Sequence, residues 1–432
     1  MRRRLSFPTM QPGSMPDPDG FAAPARSAAH RAPVLRSGLA AAAAVALVHA
    51  ATDAFVAFLP PLLPRIMDKL GLNIALAASL AALLSLATTL PQPVMGSVAD
   101  RFGRRLLLVA GPATTVVTLS LIGLAPSFSA LLVLLALGGL GSAAFHPSGA
   151  SAAAAVGGGR SGLRVSIFSA GGSAGYAVAP IIAVALVGRV GLEGLWLAMI
   201  PGVLVVLLAG ALIPAAPPDR PVAPPPAPRE ILALLRGPIA AIFGISIVFS
   251  FAQRVFLTLA PIIVAAAGGS EATGAFALSA YVVGETLGSL AGGYLGDRFD
   301  RRYLLLGLTL LAFPAHLGAM WFVTAGDVVA HAFAVSAGFL NMAIVPLIIV
   351  MAQEIVPHRT ALGSGIVMGL AWAVGSLGVL GAGVLADAIG PRPAALLCMP
   401  AILAAALLAL HPALDPYRRA RHRGAGSSPA AP

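Results

Sequence analysis

Charged side chains are scarce in this sequence. They make up 10% of its 432 residues, against about a quarter in an ordinary soluble domain. A single cysteine, Cys398, excludes an intramolecular disulfide, and lysine occurs once, at position 69. So few charges cannot cover the surface of the several domains that a soluble chain of this length would form. A soluble enzyme, a secreted disulfide scaffold and a nucleic-acid-binding domain are therefore poor descriptions of this protein.

Apolar residues, in contrast, make up 58% of the chain, and the mean hydropathy is +0.91. Runs of about 20 apolar residues, the length that crosses a bilayer as a helix, alternate with short polar breaks. The spans are predicted near residues 37–60, 73–96, 105–125, 129–152, 163–187, 192–213, 239–265, 272–296, 303–323, 328–352, 363–387 and 393–411. The sequence thus predicts an all-α integral membrane protein of twelve transmembrane helices in two six-helix bundles.

The bundles are predicted over residues 37–213 and 239–411, joined by a proline-rich cytoplasmic linker over 214–238. Residues 1–36 and 412–432 are expected to form cytoplasmic tails, the first of them disordered. With both termini inside, 22 of the 27 basic residues fall in the tails, the linker and the inner loops. This bias follows the positive-inside rule and predicts a multi-pass protein of the cell inner membrane.

A loop motif occurs once in each half, 197 residues apart, between the second and third spans. We expect its glycine to permit close helix approach and its charges to hold an inner gate shut, for example through an aspartate–arginine pair. The alternative is that the positive charges only anchor the loop on the inner side of the membrane. The motif residues are Gly96, Asp100, Arg101, Arg104 and Arg105 in the first copy and Gly293, Asp297, Arg298, Arg301 and Arg302 in the second.

The repeated loop motif and the twelve-span layout resemble the major facilitator superfamily. Further short motifs resemble its fosmidomycin-resistance branch of drug exporters: His49-x-x-x-Asp53, Gln92-Pro93, Phe145-His146-Pro147 and Met368-Gly-Leu-Ala-Trp372. The resemblance implies a secondary transporter that expels small anionic or amphiphilic toxic compounds in exchange for protons. One departure is the alanine before Pro180, where exporters of the superfamily often have glycine.

Ionisable residues at membrane depth are functional candidates. Asp53 is predicted to carry the coupling proton, with His49 one helical turn earlier on the same face to tune or relay it. Glu285, near the middle of the eighth span, is the second candidate. The structural alternatives are a buried His–Asp hydrogen bond that fixes helix packing and a carboxyl group held by a neighbouring helix.

The predicted substrate cavity contains Arg254, which could bind an anionic group bidentately or could instead form a structural ion pair with Asp53 or Glu285. The other residues predicted to line it are Gln253, Gln92, His146 and Asn341.

We therefore predict proton-coupled export of a small drug-like or anionic compound by alternating access. The partners are the substrate, protons and the lipid bilayer, with no nucleic acid, metal or cofactor. A proton-coupled importer of a sugar or carboxylate is the alternative. A non-transporting receptor or enzyme is a remote alternative, because the sequence shows no catalytic constellation or large soluble domain.

Overall fold

A computed structural model describes residues 28–95, 98, 104–155, 161–213, 228–357 and 360–414. These residues are almost entirely helical. In the first half the helices are α1 (Ala28–Val56), α2 (Leu59–Leu70), α3 (Ile74–Thr89), α4 (Arg104–Ser120), α5 (Phe128–Ala155), α6 (Ser161–Val190) and α7 (Met199–Ala211). In the second half they are α8 (Pro228–Leu234), α9 (Ile239–Ala266), α10 (Glu271–Arg298), α11 (Arg301–Phe322), α12 (Val328–Ile355), α13 (Thr360–Ser364), α14 (Ala371–Ile389), α15 (Pro391–Cys398) and α16 (Ala401–Ala409).

The prediction of an all-α protein with twelve spans is confirmed. Eleven helical stretches in the part of the chain that the structure describes are long and apolar enough to cross a bilayer. The twelfth is α10, which has the necessary length, 28 residues, but carries Glu285 and several glycines and is therefore less apolar. Its position between two spans of the second half makes it a spanning helix.

The first span extends further than predicted at its second end. Its helix, α1, begins at Ala28, so residues 28–36 of the predicted tail are helical; residues 1–27 lie outside the described part. At its other end it continues through α2 to Leu70. The break between α1 and α2 precedes Pro60 and Pro61, because a proline lacks the N–H that would continue the helical ladder. The linker also contains a short helix, α8.

Small residues allow α10 and α12 to pack closely. A Cβ atom built on Gly284, Gly288 or Gly292 would overlap a carbonyl oxygen of α12, which is the close approach that a Gly-x-x-x-Gly repeat provides in membranes. Gly293 was predicted to serve such a contact, and this prediction is wrong. It lies one residue away from the packed face, and no atom of the described residues lies within 4 Å of a Cβ built there.

Because the spans alternate in direction, Ala28, Ile213, Pro228 and Leu414 lie at one end of the molecule, which we call the termini end. At the opposite end, polar contacts join the two bundles. Arg65 Nε of α2 lies 2.5 Å from Glu271 Oε1 of α10, and the Asp387 carboxylate of α14 accepts hydrogen bonds from the first two amides of α3 at 2.8 and 3.0 Å. The bundles are therefore closed at this end.

Candidate functional site

A cavity of about 320 Å³ lies between the two bundles, on the termini side of the closed zone. A buried hydrogen bond of 2.7 Å between the hydroxyl groups of Ser85 and Ser376 joins α3 to α14 where the cavity meets the closed zone. The lining comes from both halves, as expected for a rocking transporter whose site lies between its repeats. The polar and aromatic residues of the lining are Asp53, Ser85, Thr88, Thr89, Gln92, Ser142, His146, Tyr176, Arg254, Thr258 and Trp372.

One wall of the cavity carries a cluster of three side chains, His49, Asp53 and His146, which we call the His–Asp–His cluster. His49 Nε2 lies 3.2 Å from Asp53 Oδ2, and His146 Nε2 lies 3.4 Å from Asp53 Oδ1. The two Nε2 atoms are 3.2 Å apart. His49 and Asp53 are one turn apart on α1, whereas His146 comes from α5, 97 residues away. Each of the three residues offers one atom that can bind a metal ion, and these three atoms lie within 4.8 Å of one another.

The tautomers of both imidazoles follow from their Nδ1 contacts. Nδ1 of His49 lies 2.8 Å from the carbonyl oxygen of Phe168, and Nδ1 of His146 lies 2.8 Å from that of Ser142. A carbonyl oxygen only accepts, so each Nδ1 carries a hydrogen and donates it. In the neutral rings both Nε2 atoms then have lone pairs, which face each other and the carboxylate. This arrangement is favourable only when a cation, such as a proton on one Nε2, is shared among the three groups.

Packing fixes the cluster in place. The His49 ring stacks on Phe168 of α6 with centroids 4.0 Å apart and is flanked by Phe145. Gly172, one turn after Phe168, makes room for it, since a Cβ there would lie 2.5 Å from His49 Nε2 and 2.7 Å from Asp53 Oδ2. In the same glycine run of α6, Gly171 and Gly175 pack against α1, whereas Gly172 faces the cluster.

The opposite wall carries the positive charge of Arg254, which lies on α9 beside Tyr176 of α6. Its buried Nε has no hydrogen-bond partner among the described residues, so the guanidinium keeps donor capacity for a ligand. Nearby, Met368 belongs to a π-helical segment (Gly365–Leu370) that leads into α14, and Trp372 follows it. Segments of π-helix are frequent at functional sites.

Three residues predicted for the site lie behind the cavity wall instead. Glu285 of α10 is buried, and Gln253 of α9 donates a hydrogen bond to its carboxylate. Asn341 of α12 is 1% exposed. None of the three is among the residues that line the cavity. Gln92 and His146, in contrast, lie in the lining with Arg254.

The loop motifs are only partly described. Gly96, Asp100 and Arg101 of the first copy lie outside the described residues, as does the side chain of Arg104, and Arg105 is exposed. In the second copy Arg298 lies 3.9 Å from the ring centre of Tyr294, Arg301 pairs with Glu354 at 2.5 Å, and Arg302 donates to the last carbonyls of α16. Asp297 is the penultimate residue of α10, before Arg298. The contacts described for the second copy lie within the second bundle, so a gate between bundles remains a prediction.

Tyr176, Gly172 and Phe168 belong to the site but were not predicted from the sequence. Tyr176 is the one tyrosine before residue 281 and lies at mid-membrane, which could have marked it as a lining residue. Phe168 contributes a backbone carbonyl and a ring face. Neither contribution leaves a signal in a sequence, because each depends on how α6 packs against α1.

Comparison with known proteins identifies the family. The family model of the Major Facilitator Superfamily matches residues 45–376 and 242–431, which together cover most of the chain. The chain is 27% identical over 364 residues to the uncharacterised MFS-type transporter YfnC of Bacillus subtilis (81% of this chain, 87% of that protein). It is also 27% identical over 359 residues to the fosmidomycin resistance protein of Escherichia coli (80% of this chain, 86% of that protein).

Solved structures show the same fold. A bacterial homologue of the human lysosomal transporter Spinster in an inward-facing conformation has a TM-score of 0.67 at 16% identity, covering 94% of this chain and 100% of that one. The nucleoside transporter NupG has a TM-score of 0.70 at 13% identity, covering 87% of this chain and 99% of that one. With the twelve spans and the cavity between two bundles, these findings confirm the resemblance found in the sequence: the chain belongs to the major facilitator superfamily and is a secondary transporter, not an enzyme.

Proposed function

We propose that this transporter exports small anionic organic compounds in exchange for protons. One observation carries the proposal. A cluster that needs a cation and a side chain that can bind an anion lie on facing walls of one cavity. The His–Asp–His cluster on the first bundle needs a shared cation, and Arg254 on the second bundle has unused donor capacity. Similarity to the fosmidomycin resistance protein supports efflux as the direction.

Proton coupling follows from the lone pairs of the cluster. A proton on one Nε2 turns the repulsion between His49, His146 and the Asp53 carboxylate into charge-assisted hydrogen bonds, each worth about 1.5–3 kcal/mol. Asp53 and His146 face the cavity, so the proton exchanges with whichever side the cavity opens to. Rocking of the bundles then moves the proton from one side to the other. Glu285 is proposed as a second proton-binding group, reached only when the packing of α10 changes.

Substrate binding is assigned to Arg254. A guanidinium pairs with a carboxylate or phosphonate through two parallel hydrogen bonds, and Tyr176 and Trp372 offer aromatic surface beside it. Glu285 is close enough to Arg254 to interact with it electrostatically, which compensates part of the positive charge when no substrate is bound.

Orientation follows from the basic residues. Since 22 of the 27 lie in segments at the termini end, the positive-inside rule places that end in the cytoplasm. The cavity then opens toward the cytoplasm in this conformation, ready to load a compound for export across a bacterial inner membrane. In this cycle the contacts of Asp387 and Arg65 break when the opposite end opens.

The test uses inverted membrane vesicles with an acid interior, to which fosmidomycin and a panel of small phosphonates are added. A pH-sensitive dye inside reports loss of the gradient. We expect proton release on adding a transported compound, and none with Asp53→Asn. The matched control is Asp327→Asn, because Asp327 caps α12 at the opposite end and asparagine caps a helix equally well.

Three results would contradict the proposal. Normal exchange by the Asp53→Asn protein would remove Asp53 from coupling. Compound-driven transport without proton movement would remove the proton. Gradient-driven accumulation of a sugar or carboxylate in whole cells, with no response in the inverted vesicles, would replace export by import.

A further inference from the structure

The His–Asp–His cluster has the donor set of a transition-metal site. Two imidazole nitrogens and a carboxylate are the ligands of many zinc centres, and one ligand atom from each residue lies within 4.8 Å of the other two. The two Nε2 atoms are 3.2 Å apart, His49 Nε2 lies 3.2 Å from Asp53 Oδ2, and His146 Nε2 lies 3.4 Å from the other carboxylate oxygen, Oδ1. For metal–ligand bonds of 2.0–2.1 Å, the edges of a tetrahedron are about 3.3–3.4 Å long. The two nitrogens therefore have the spacing of one tetrahedral edge, and the carboxylate, whose two oxygens each face one nitrogen, lies close enough to supply the third ligand.

The outer shell of the cluster has the arrangement that metal-binding histidines require. Such a histidine almost always donates its second ring N–H to a carbonyl or carboxylate, which fixes the tautomer and turns the free nitrogen toward the metal. Both histidines do so here, through the carbonyl oxygens of Phe168 and Ser142, each at 2.8 Å. Stacking on Phe168 holds the His49 ring in addition.

The cluster is also accessible. His49 is buried, but Asp53 and His146 line the cavity, so an ion can enter from the aqueous side and keep one coordination position facing the cavity. Three protein ligands with a fourth open position are typical of zinc sites that bind an exchangeable group.

We propose that His49, Asp53 and His146 form a binding site for one divalent transition-metal ion of the Zn²⁺ class, with its fourth coordination position open to the transport cavity. A bound metal ion occupies the place of the shared proton. As a consequence that rests on the proposed function, Zn²⁺ blocks proton-coupled exchange.

The experiment titrates Co²⁺ into purified, tag-free protein in detergent and follows the visible absorption of four-coordinate Co²⁺, which Zn²⁺ should then displace. We expect one Co²⁺ per chain. His146→Gln and Asp53→Asn should each weaken binding by at least about tenfold, the lower limit for loss of even an outer-shell partner. His331→Gln is the matched control, because His331 lies at the start of α12, far from the cluster, and should bind as the unchanged protein does.

Thermal unfolding of each variant, compared with that of the unchanged protein, verifies that it is folded. The absence of saturable four-coordinate Co²⁺ overturns the site, as does equal binding by folded His146→Gln and Asp53→Asn proteins. The proposed function fails separately: one Co²⁺ bound with the expected spectrum, but no block of exchange by Zn²⁺ in the vesicle assay, supports the metal site and contradicts the coupling role of the cluster.

Discussion

Gly172→Ala tests whether the geometry of the His–Asp–His cluster controls transport. The added Cβ would lie 2.7 Å from Asp53 Oδ2, about 0.7 Å inside the ordinary contact distance of 3.4 Å or more. The polar contacts of the cluster span 3.2–3.4 Å, so a displacement of this size takes at least one of them beyond hydrogen-bond length. Losing one charge-assisted hydrogen bond costs about 1.5–3 kcal/mol, or about 10- to 100-fold. We expect proton-coupled exchange to fall at least about tenfold.

The matched control is Gly188→Ala in the same helix, where nothing lies within 4 Å of the new Cβ. Both variants gain about 0.5–1 kcal/mol of helix propensity, and the atoms that Gly172→Ala displaces are the ends of side chains. Both proteins should therefore insert, and Gly172→Ala should unfold at a somewhat lower temperature than Gly188→Ala, because only Gly172→Ala loses a hydrogen bond of the cluster. The assay is the initial rate of gradient loss in inverted vesicles, normalised to the amount of transporter. If Gly172→Ala exchanges as fast as Gly188→Ala, the cluster geometry does not limit coupling and the reasoning is refuted.

Three further predictions concern packing and the closed end. Gly288→Ala should lower stability by about 1–3 kcal/mol through overpacking against α12, seen as a lower unfolding temperature, whereas Gly293→Ala should not; equal effects would contradict the close contact. Asp387→Ala removes the cap that α14 places on α3, worth about 1 kcal/mol. The distances between spin labels on the exposed faces of these helices should then show a larger fraction of molecules open at this end, and an unchanged distance distribution would contradict the prediction. Tyr281→Phe leaves buried His316 Nε2 without its 3.2 Å partner at a cost of about 1–3 kcal/mol, and an unaltered unfolding temperature would contradict that role.

Much of the architecture could be predicted because the length and hydropathy of each span reflect the lipid that surrounds that span. A bilayer demands about 20 apolar residues in a row, and this local requirement leaves the same signal in nearly every helix. Only α10 falls short of it, since Glu285 and the glycines that face α12 are buried within protein rather than exposed to lipid. The first span was predicted too short because Pro60 and Pro61 are typical of the end of a helix. The helix nevertheless resumes at Leu59, one residue before these prolines, as α2.

The candidate site was predictable only in part. His49 and Asp53 could be paired because a helical turn separates them, and Arg254 and Gln92 could be chosen for their polarity at membrane depth. Gln253 and Asn341 are equally polar, yet both are buried and neither lines the cavity. Hydropathy does not report the rotation of a helix within a bundle when most of its surface is apolar all round, so lining residues could not be separated from buried ones.

The sequence by itself determined the number of spans, the two-bundle repeat and the charge bias, because these depend on the transfer of single segments between water and lipid. Tertiary structure alone decided that His146 meets His49 and Asp53, that the Phe168 carbonyl fixes a tautomer, and that Gly172 leaves the space they need. It also decided that Asp387 of one bundle caps a helix of the other. Contacts of this kind depend on the packing of helices that lie far apart in the chain, which no local pattern of residues specifies.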